Sequence, residues 1–308
     1  MKIVVISTFW NAEKYVSQCI ESLKKQYFTD FIVYMIDDLS TDNSYKVAKN
    51  AIGDDERFIL LRNEEKKYKT KSFVDVISNN DNIDWNDVIV ELDGDDSLID
   101  NFVLGLINKI YSDSDVWICG SKWIDQYGKS MNYGRANADN PRSLPWNFSH
   151  MRTYRAFLFR SINLEDLKYD GEYYKAACDL GHGMPMLEMA GNEHYYFLDK
   201  VTYLYNWHDH QSYSNSNSSQ DKNIQAKTAK HIYSLPRYQK IKLGNIELDK
   251  IEMEEPPQQQ TNESMDVLLQ VLGNEKSRIN TSKLDLNKKR EYINTFNRFT
   301  PPKKTKRK

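Results

Sequence analysis

The chain has 308 residues, and its 42 Lys and Arg nearly balance 44 Asp and Glu, so a net charge of −2 gives no general electrostatic case for a nucleic-acid or membrane-surface protein. The length allows one large α/β domain or two smaller ones with an ample core. Cys19, Cys119 and Cys178 are far apart and odd in number, which argues against a disulfide framework or a cysteine-rich zinc site and fits a reducing compartment.

The apolar start, residues 1–6, is too short for a signal-peptide core, and no segment approaches the roughly 20 apolar residues of a membrane span. A soluble, cytoplasmic protein of the producing or host cell is expected, with peripheral membrane association left open. Residues 3–8 form a β-branched run leading into Phe9, Trp10 and Asn11, after which Val16, Cys19, Ile20 and Leu23 recur at helical spacing. That spacing predicts strand, loop, helix. Residues 31–36 read as a second buried strand ending at Asp37 and Asp38, and residues 40–43 offer capping side chains for a helix over 45–51. A strand at 58–61, a helix around 71–78 and a strand at 88–92 continue the rhythm, which predicts a mainly parallel twisted sheet flanked by helices. In such sheets ligands collect beyond the carboxyl ends of the strands, which would bring residues 8–11, 37–38 and 93–96 to one cleft.

Asp93, Asp95 and Asp96 place three acidic side chains within four positions directly after the apolar strand, in the segment Glu91-Leu92-Asp93-Gly94-Asp95-Asp96. Clustered carboxylates are hard oxygen ligands for Mg²⁺ or Mn²⁺, and such an ion can hold a diphosphate. A phosphorylated donor is the expected substrate. The later pattern is less regular: a strand at 116–122, a polar segment at 132–147, a helix over 151–162, a helix around 181–190 and a strand at 201–207. Residues 212–219 have the composition of a loop that could close over a bound donor. Residues 252–260 read as a linker, two short amphipathic helices are expected at 264–272 and 284–299, and Lys303 to Lys308 close the chain with a basic cluster. The expected organisation is a domain over 1–240, with a nucleotide-binding half (1–110) and an acceptor half (111–240), followed by a helical or disordered tail over 241–308.

The first half, in order and spacing, resembles the inverting GT-A glycosyltransferases of family 2. The likeness rests on Asn11-Ala12-Glu13-Lys14-Tyr15, on Asp37-Asp38-Leu39-Ser40-Thr41-Asp42-Asn43-Ser44 and on Leu92-Asp93-Gly94-Asp95-Asp96. It implies a GT-A-like fold, a nucleotide-sugar donor, UDP-linked in preference, an Mn²⁺ or Mg²⁺ cofactor, and a hydroxyl acceptor on a glycan or glycoconjugate. It further implies Thr8, Trp10 and Asn11 beside the base or ribose, Asp38 accepting a hydrogen bond from the base, and Asp37 supporting the loop or touching the ribose. Asp93 and Asp95 would serve the donor, and Asp95 and Asp96 the metal. Cys178-Asp179-Leu180 resembles the family's acidic pair opening a helix, with Cys in place of the usual Glu, which makes Asp179 the general base and Glu188 a weaker alternative. Tyr205-Asn206-Trp207-His208 resembles a Tyr-Arg-x-His segment and implies His208 as a metal ligand ahead of His210, with Asn206 in the position of the Arg. Lys71 is expected near the donor. Residues 149–155 are similar to a stretch in phage and large-virus members, with Arg152 or Arg155 holding donor phosphate or an anionic acceptor. Two rival readings are a non-catalytic nucleotide-sugar binding module and a transferase acting on a hydroxylated nucleobase in DNA. Nucleic acid or an anionic membrane enters only through the basic terminus.

Overall fold

Two consecutive strand–helix units set the frame of the computed structural model, which describes residues 1–130, 134–142, 146–207 and 219–242. Strand β1 (Ile3–Phe9) leads to helix α1 (Val16–Lys24), and β2 (Phe31–Asp37) to α2 (Ser44–Ile52). The apolar run of β1 is buried on both faces, as a central parallel strand requires. Helix α1 turns Val16, Cys19, Ile20 and Leu23 into the core, a stripe at the spacing of one helical face. Then follow β3 (Phe58–Arg62), α3 (Tyr68–Ile77), β4 (Val88–Glu91), the two-residue β5 (Ser97–Leu98), α4 (Val103–Tyr111) and β6 (Ile118–Asp125).

The sheet runs β3-β2-β1-β4, and in it β1 pairs in parallel with both β2 and β4. In register, Phe9 lies beside Asp37, Asp37 beside Arg62, and Ile6 beside Glu91. The carboxyl ends of these strands therefore open on one edge. Two of the loops there are tied together by side chains: Asn11 N–H donates to Ser40 Oγ at 2.9 Å, Thr41 N–H to Asn11 Oδ1 at 2.8 Å, and Ala12 N–H to Ser44 Oγ at 2.7 Å. Asn11 and Leu39 both take positive φ, at 49° and 62°, so these turns are held by their bonds against backbone preference.

The second half departs from the expected helix over 151–162. Its first part is strand β7 (Arg152–Arg155), and only Ala156–Arg160 is helical, as α5. Strand β7 inserts between β4 and β6, antiparallel to both, and all four of its residues are buried. The spaced cations of this segment suggest a solvated helix, yet both arginines find internal partners. A hairpin of β8 (Lys168–Tyr169) and β9 (Glu172–Tyr173) precedes helix α6 (Cys178–His194), whose last turn breaks at Gly191 with φ 64°. Strand β10 (Tyr195–Tyr205) pairs in parallel with β6 and antiparallel with β5 and completes the eight-stranded sheet in the order β3-β2-β1-β4-β7-β6-β10-β5. Helix α7 (Ser219–Ser234), which hydrophobic pattern does not suggest, adds Ile232 to the buried set. Residues Met1–Lys240 form one compact unit. No helix among the described residues is long and apolar enough to cross a membrane. Of the expected loop at 212–219, Ser219 opens α7 and the rest lies outside the described residues, as do the linker at 252–260, the helices at 264–272 and 284–299 and the basic end.

Gly94 fixes the turn after β4. Its N–H donates to the Thr8 carbonyl at 3.0 Å, and a Cβ there would stand 2.6 Å from Phe9 Cβ and 3.2 Å from the Thr8 oxygen. Neither obstacle is the flexible end of a side chain. Gly94→Ala is expected to destabilise the fold by about 1–3 kcal/mol through overpacking; a denaturant midpoint equal to that of the unsubstituted protein would contradict this packing.

Candidate active site

The three carboxylates after β4 divide into one that is buried and two that are partly exposed. Asp96 is buried at 1% exposure, its Oδ2 accepts from Tyr203 O–H at 2.7 Å and its Oδ1 accepts from Asn206 N–H at 2.7 Å. Burial, then Asp95 and Asp93, raise its carboxyl well above the usual range. Asp96, expected as a metal ligand, fastens the end of β10 to the loop, with both of its oxygens engaged inside the fold. Asn206, in the position where the family resemblance expects Arg, donates its Nδ2–H to the Asp95 carbonyl at 2.7 Å. Asp93 and Asp95 are each partly exposed. Tyr203 is shared by the loop, because its hydroxyl also accepts from Asp93 N–H at 3.2 Å.

Beneath this loop lies a buried ion network that sequence reasoning does not assemble. Glu91 is 1% exposed; its Oε1 is 2.6 Å from His182 Nε2 and its Oε2 accepts from Arg152 Nε–H at 3.0 Å. Lys69 Nζ stands 3.5 Å from Glu91 and donates to Asp93 Oδ1 at 2.5 Å. Burial opposes the charge on Glu91, but His182, Arg152 and Lys69 outweigh it and hold the carboxyl well below its ordinary value. Lys69 is likewise desolvated, yet Asp93 and Glu91 keep its ammonium above the usual lysine value. His150 Nδ1 lies 4.0 Å from Asp93 Oδ2, and its ring stacks on Tyr203 with centroids 4.7 Å apart. Burial, with Arg152 nearby, pushes His150 down to about 3, so its ring is neutral.

Asp179 sits in the first turn of α6 with its side chain 40% exposed. Its Oδ2 accepts from Trp146 Nε1–H at 3.2 Å and lies 3.9 Å from Arg152 Nη1. Arg152 therefore stands between Asp179 and Glu91, under the floor of the site and not on an acceptor surface. Arg155 occupies the other end of β7 and donates to the carbonyls of Val116, Asn86, Tyr111 and Asp113. Glu188, the weaker base candidate, is buried and held by Arg142 at 2.6 Å, Arg237 at 3.3 Å and Tyr238 N–H at 3.1 Å. It braces α6 and does not face the acidic loop's network.

At the carboxyl end of β2, Asp37 is fully buried, with Oδ1 accepting from Ser40 N–H at 3.0 Å and Oδ2 3.2 Å from Arg62. Asp38 is 5% exposed and accepts from Asn63 Nδ2–H at 2.8 Å, Lys67 N–H at 2.8 Å and Tyr68 N–H at 3.0 Å, with Lys66 Nζ 3.2 Å away. A base reaching Asp38 has to displace one of these donors, so in this state Asp38 organises residues 63–68. Trp10 is 48% exposed and carries Lys66 Nζ 3.9 Å above its ring. Thr8 accepts from Gly94 through its carbonyl, and Asn11 joins the first two loops. Lys71 pairs with Asp75 on its own helix. Two residues along a helix turn the side chain by roughly 200°, which is why Lys69 and not Lys71 reaches the carboxylates.

Carboxylate oxygens are the ligands Mg²⁺ and Mn²⁺ take, and Mg²⁺ is commonly held by one or two of them together with substrate phosphates. Asp93 and Asp95 fit that mode, although among the described residues no three His, Cys, Asp or Glu side chains form a metal shell. His208 and His210 lie outside the described residues.

Residues 4–167 match the family described as glycosyl transferase family 2. The chain belongs to that family. Its fold is similar to that of Staphylococcus aureus TarS 1-349, solved in complex with UDP-GlcNAc, with a TM-score of 0.53 and 18% identity over 83% of this chain and 77% of that one. A teichoic acid poly(glycerol phosphate) polymerase of Staphylococcus epidermidis is 43% identical over 53 residues, which are 17% of this chain and 7% of that protein. The family 2 chain thus matches only a small part of the length of that curated relative. Among the acids of its β4 end, Glu91 is visible in the sequence as a charge closing an apolar strand, while His182 sits in a buried helix without a local signal of its partner.

Removing the charge of Glu91 leaves Arg152 and His182 without their carboxylate. Glu91→Gln is expected to cost about 3–5 kcal/mol at neutral pH, the usual penalty for breaking a buried pair. Because the folded-state carboxyl is held below its ordinary value of 4.5, its contribution is complete above that pH and is lost as pH falls through the lowered value. The gap between the two proteins in urea melts should therefore narrow in acid; a gap that is small at neutral pH or widens in acid would refute the pairing.

Proposed function

We propose that this chain is a divalent-metal-dependent inverting glycosyltransferase that moves a sugar from a UDP-linked donor to a hydroxyl of a glycan. The observation that carries the reading is the meeting of two acidic elements on one cationic floor: Arg152 lies beside both Glu91 and Asp179, and Lys69 joins Glu91 to Asp93. A UDP donor is further supported by the fold similarity to TarS, whose structure holds UDP-GlcNAc.

Asp179 is the base of this reading. A sugar hydroxyl is a poor nucleophile until its proton leaves, and a carboxylate within reach can take that proton as the oxygen attacks the anomeric carbon. The bond to the diphosphate breaks in the same displacement, so the sugar inverts and no covalent intermediate on the protein is needed. Asp93 and Asp95 would hold Mg²⁺ or Mn²⁺, which when bound would supply positive charge against the departing diphosphate. Lys69 adds a fixed cation on the same side, and Trp10 offers an exposed ring at the nucleotide end.

A thermal-shift panel of nucleotide sugars with Mn²⁺ tests the donor: a UDP-sugar should raise the melting temperature more than its GDP or CDP counterpart, and no response to any member would overturn the reading. Asp179→Asn is expected to bind UDP as the unsubstituted chain does while turnover falls by about 10²–10⁴-fold. Unchanged turnover would assign the base elsewhere.

A further inference from the structure

Arg152 is the buried group that the proposed chemistry leaves unused. It is 1% exposed, and while its Nε serves Glu91, its Nη1 is buried and has no hydrogen-bond partner among the described residues. Burying an ion network is a weak source of stability, and a buried donor left unpaired is costly, so this arrangement calls for a partner that completes it. The carboxylate facing Nη1 is Asp179, whose Oδ2 stands 3.9 Å away. That separation is an ion pair short of a hydrogen bond, the loose geometry that sites without substrate often show before they tighten.

Asp179 needs such a holder. Its side chain is 40% exposed, so solvent alone would let the carboxylate turn. Trp146 Nε1–H and Arg152 Nη1 both address Oδ2, and Oδ1 accepts no hydrogen bond among the described residues. Oδ1 is thereby left to receive a proton. Arg152 in turn is fixed from below, because Glu91 accepts its Nε–H and is itself braced by His182. We infer that Arg152 is the positioning residue of Asp179, with Glu91 and His182 holding the guanidinium in place. This rests on Asp179 being the base.

A double-mutant cycle separates positioning from a merely structural role. Arg152→Lys keeps a cation opposite Glu91 but loses the fork that reaches Asp179. Hydrolysis of UDP-GlcNAc, or of the panel member that stabilises the chain most, is followed with Mn²⁺ and water as acceptor. Arg152→Lys is expected to leave UDP affinity and donor KM unchanged and to lower kcat by about tenfold or more, yet to change kcat less than about twofold when Asp179 is already Asn. Equal losses in both backgrounds, or a loss confined to KM, would overturn the inference. Should Arg152→Lys fail to fold, Trp146→Phe removes the other donor on Oδ2 without touching the ion network, and the same non-additivity is expected of it. Full turnover in Asp179→Asn alone would instead refute the base assignment, so the two failures are distinguishable.

Discussion

The site depends on one carboxylate, Glu91, which closes the strand that carries the acidic loop. Its two oxygens join β4 to segments 61 and 91 residues later in the chain, through Arg152 and His182. A charge at 1% exposure is tolerable only when its partners are fixed, and here His182, Arg152 and Lys69 converge on it. Strand β7, helix α6 and the start of α3 are thereby tied to the end of β4. Without that link the acidic loop, at the end of β4, and Asp179, on α6, would be anchored separately.

The three aspartates that follow show how adjacent residues of one type divide their work. Gly94 brings the loop against the Thr8 carbonyl, and the turn then sends Asp96 into the core while Asp93 and Asp95 remain partly exposed. Asp96 is held by Tyr203 and Asn206 and makes the loop rigid. Rigidity of that kind suits a site that must meet a diphosphate without reorganising, since preformed charge costs nothing at the moment of reaction.

Much of this is legible in the sequence. The alternation of apolar runs and helical stripes marks β1 through β4 with their helices, because each signal is local and strongly periodic. The acidic loop stands out as charges at the end of such a strand, whereas Asp179 is reached only through the family resemblance. What is not legible comes from pairing across distance: β7 reads as helix on its own because nothing local records that it is flanked by β4 and β6. Its arginines look solvated for the same reason. The helix expected around 71–78 begins at Tyr68, so Lys69 lies on α3 as well, and it is Lys69 that reaches the carboxylates while Lys71 pairs with Asp75. The resemblance leaves Asp38 to a base, and its four donors escape notice because they lie at residues 63–68, in the connection to α3 and its first residue.

Anomalous diffraction from crystals grown with UDP and Mn²⁺ tests the central claim most directly. A manganese peak is expected between the diphosphate and the Asp93 and Asp95 carboxylates, with Asp179 across the cleft and Asp96 still bonded to Tyr203. Manganese absent from that loop, or UDP bound away from the carboxyl ends of β1, β2 and β4, would contradict it.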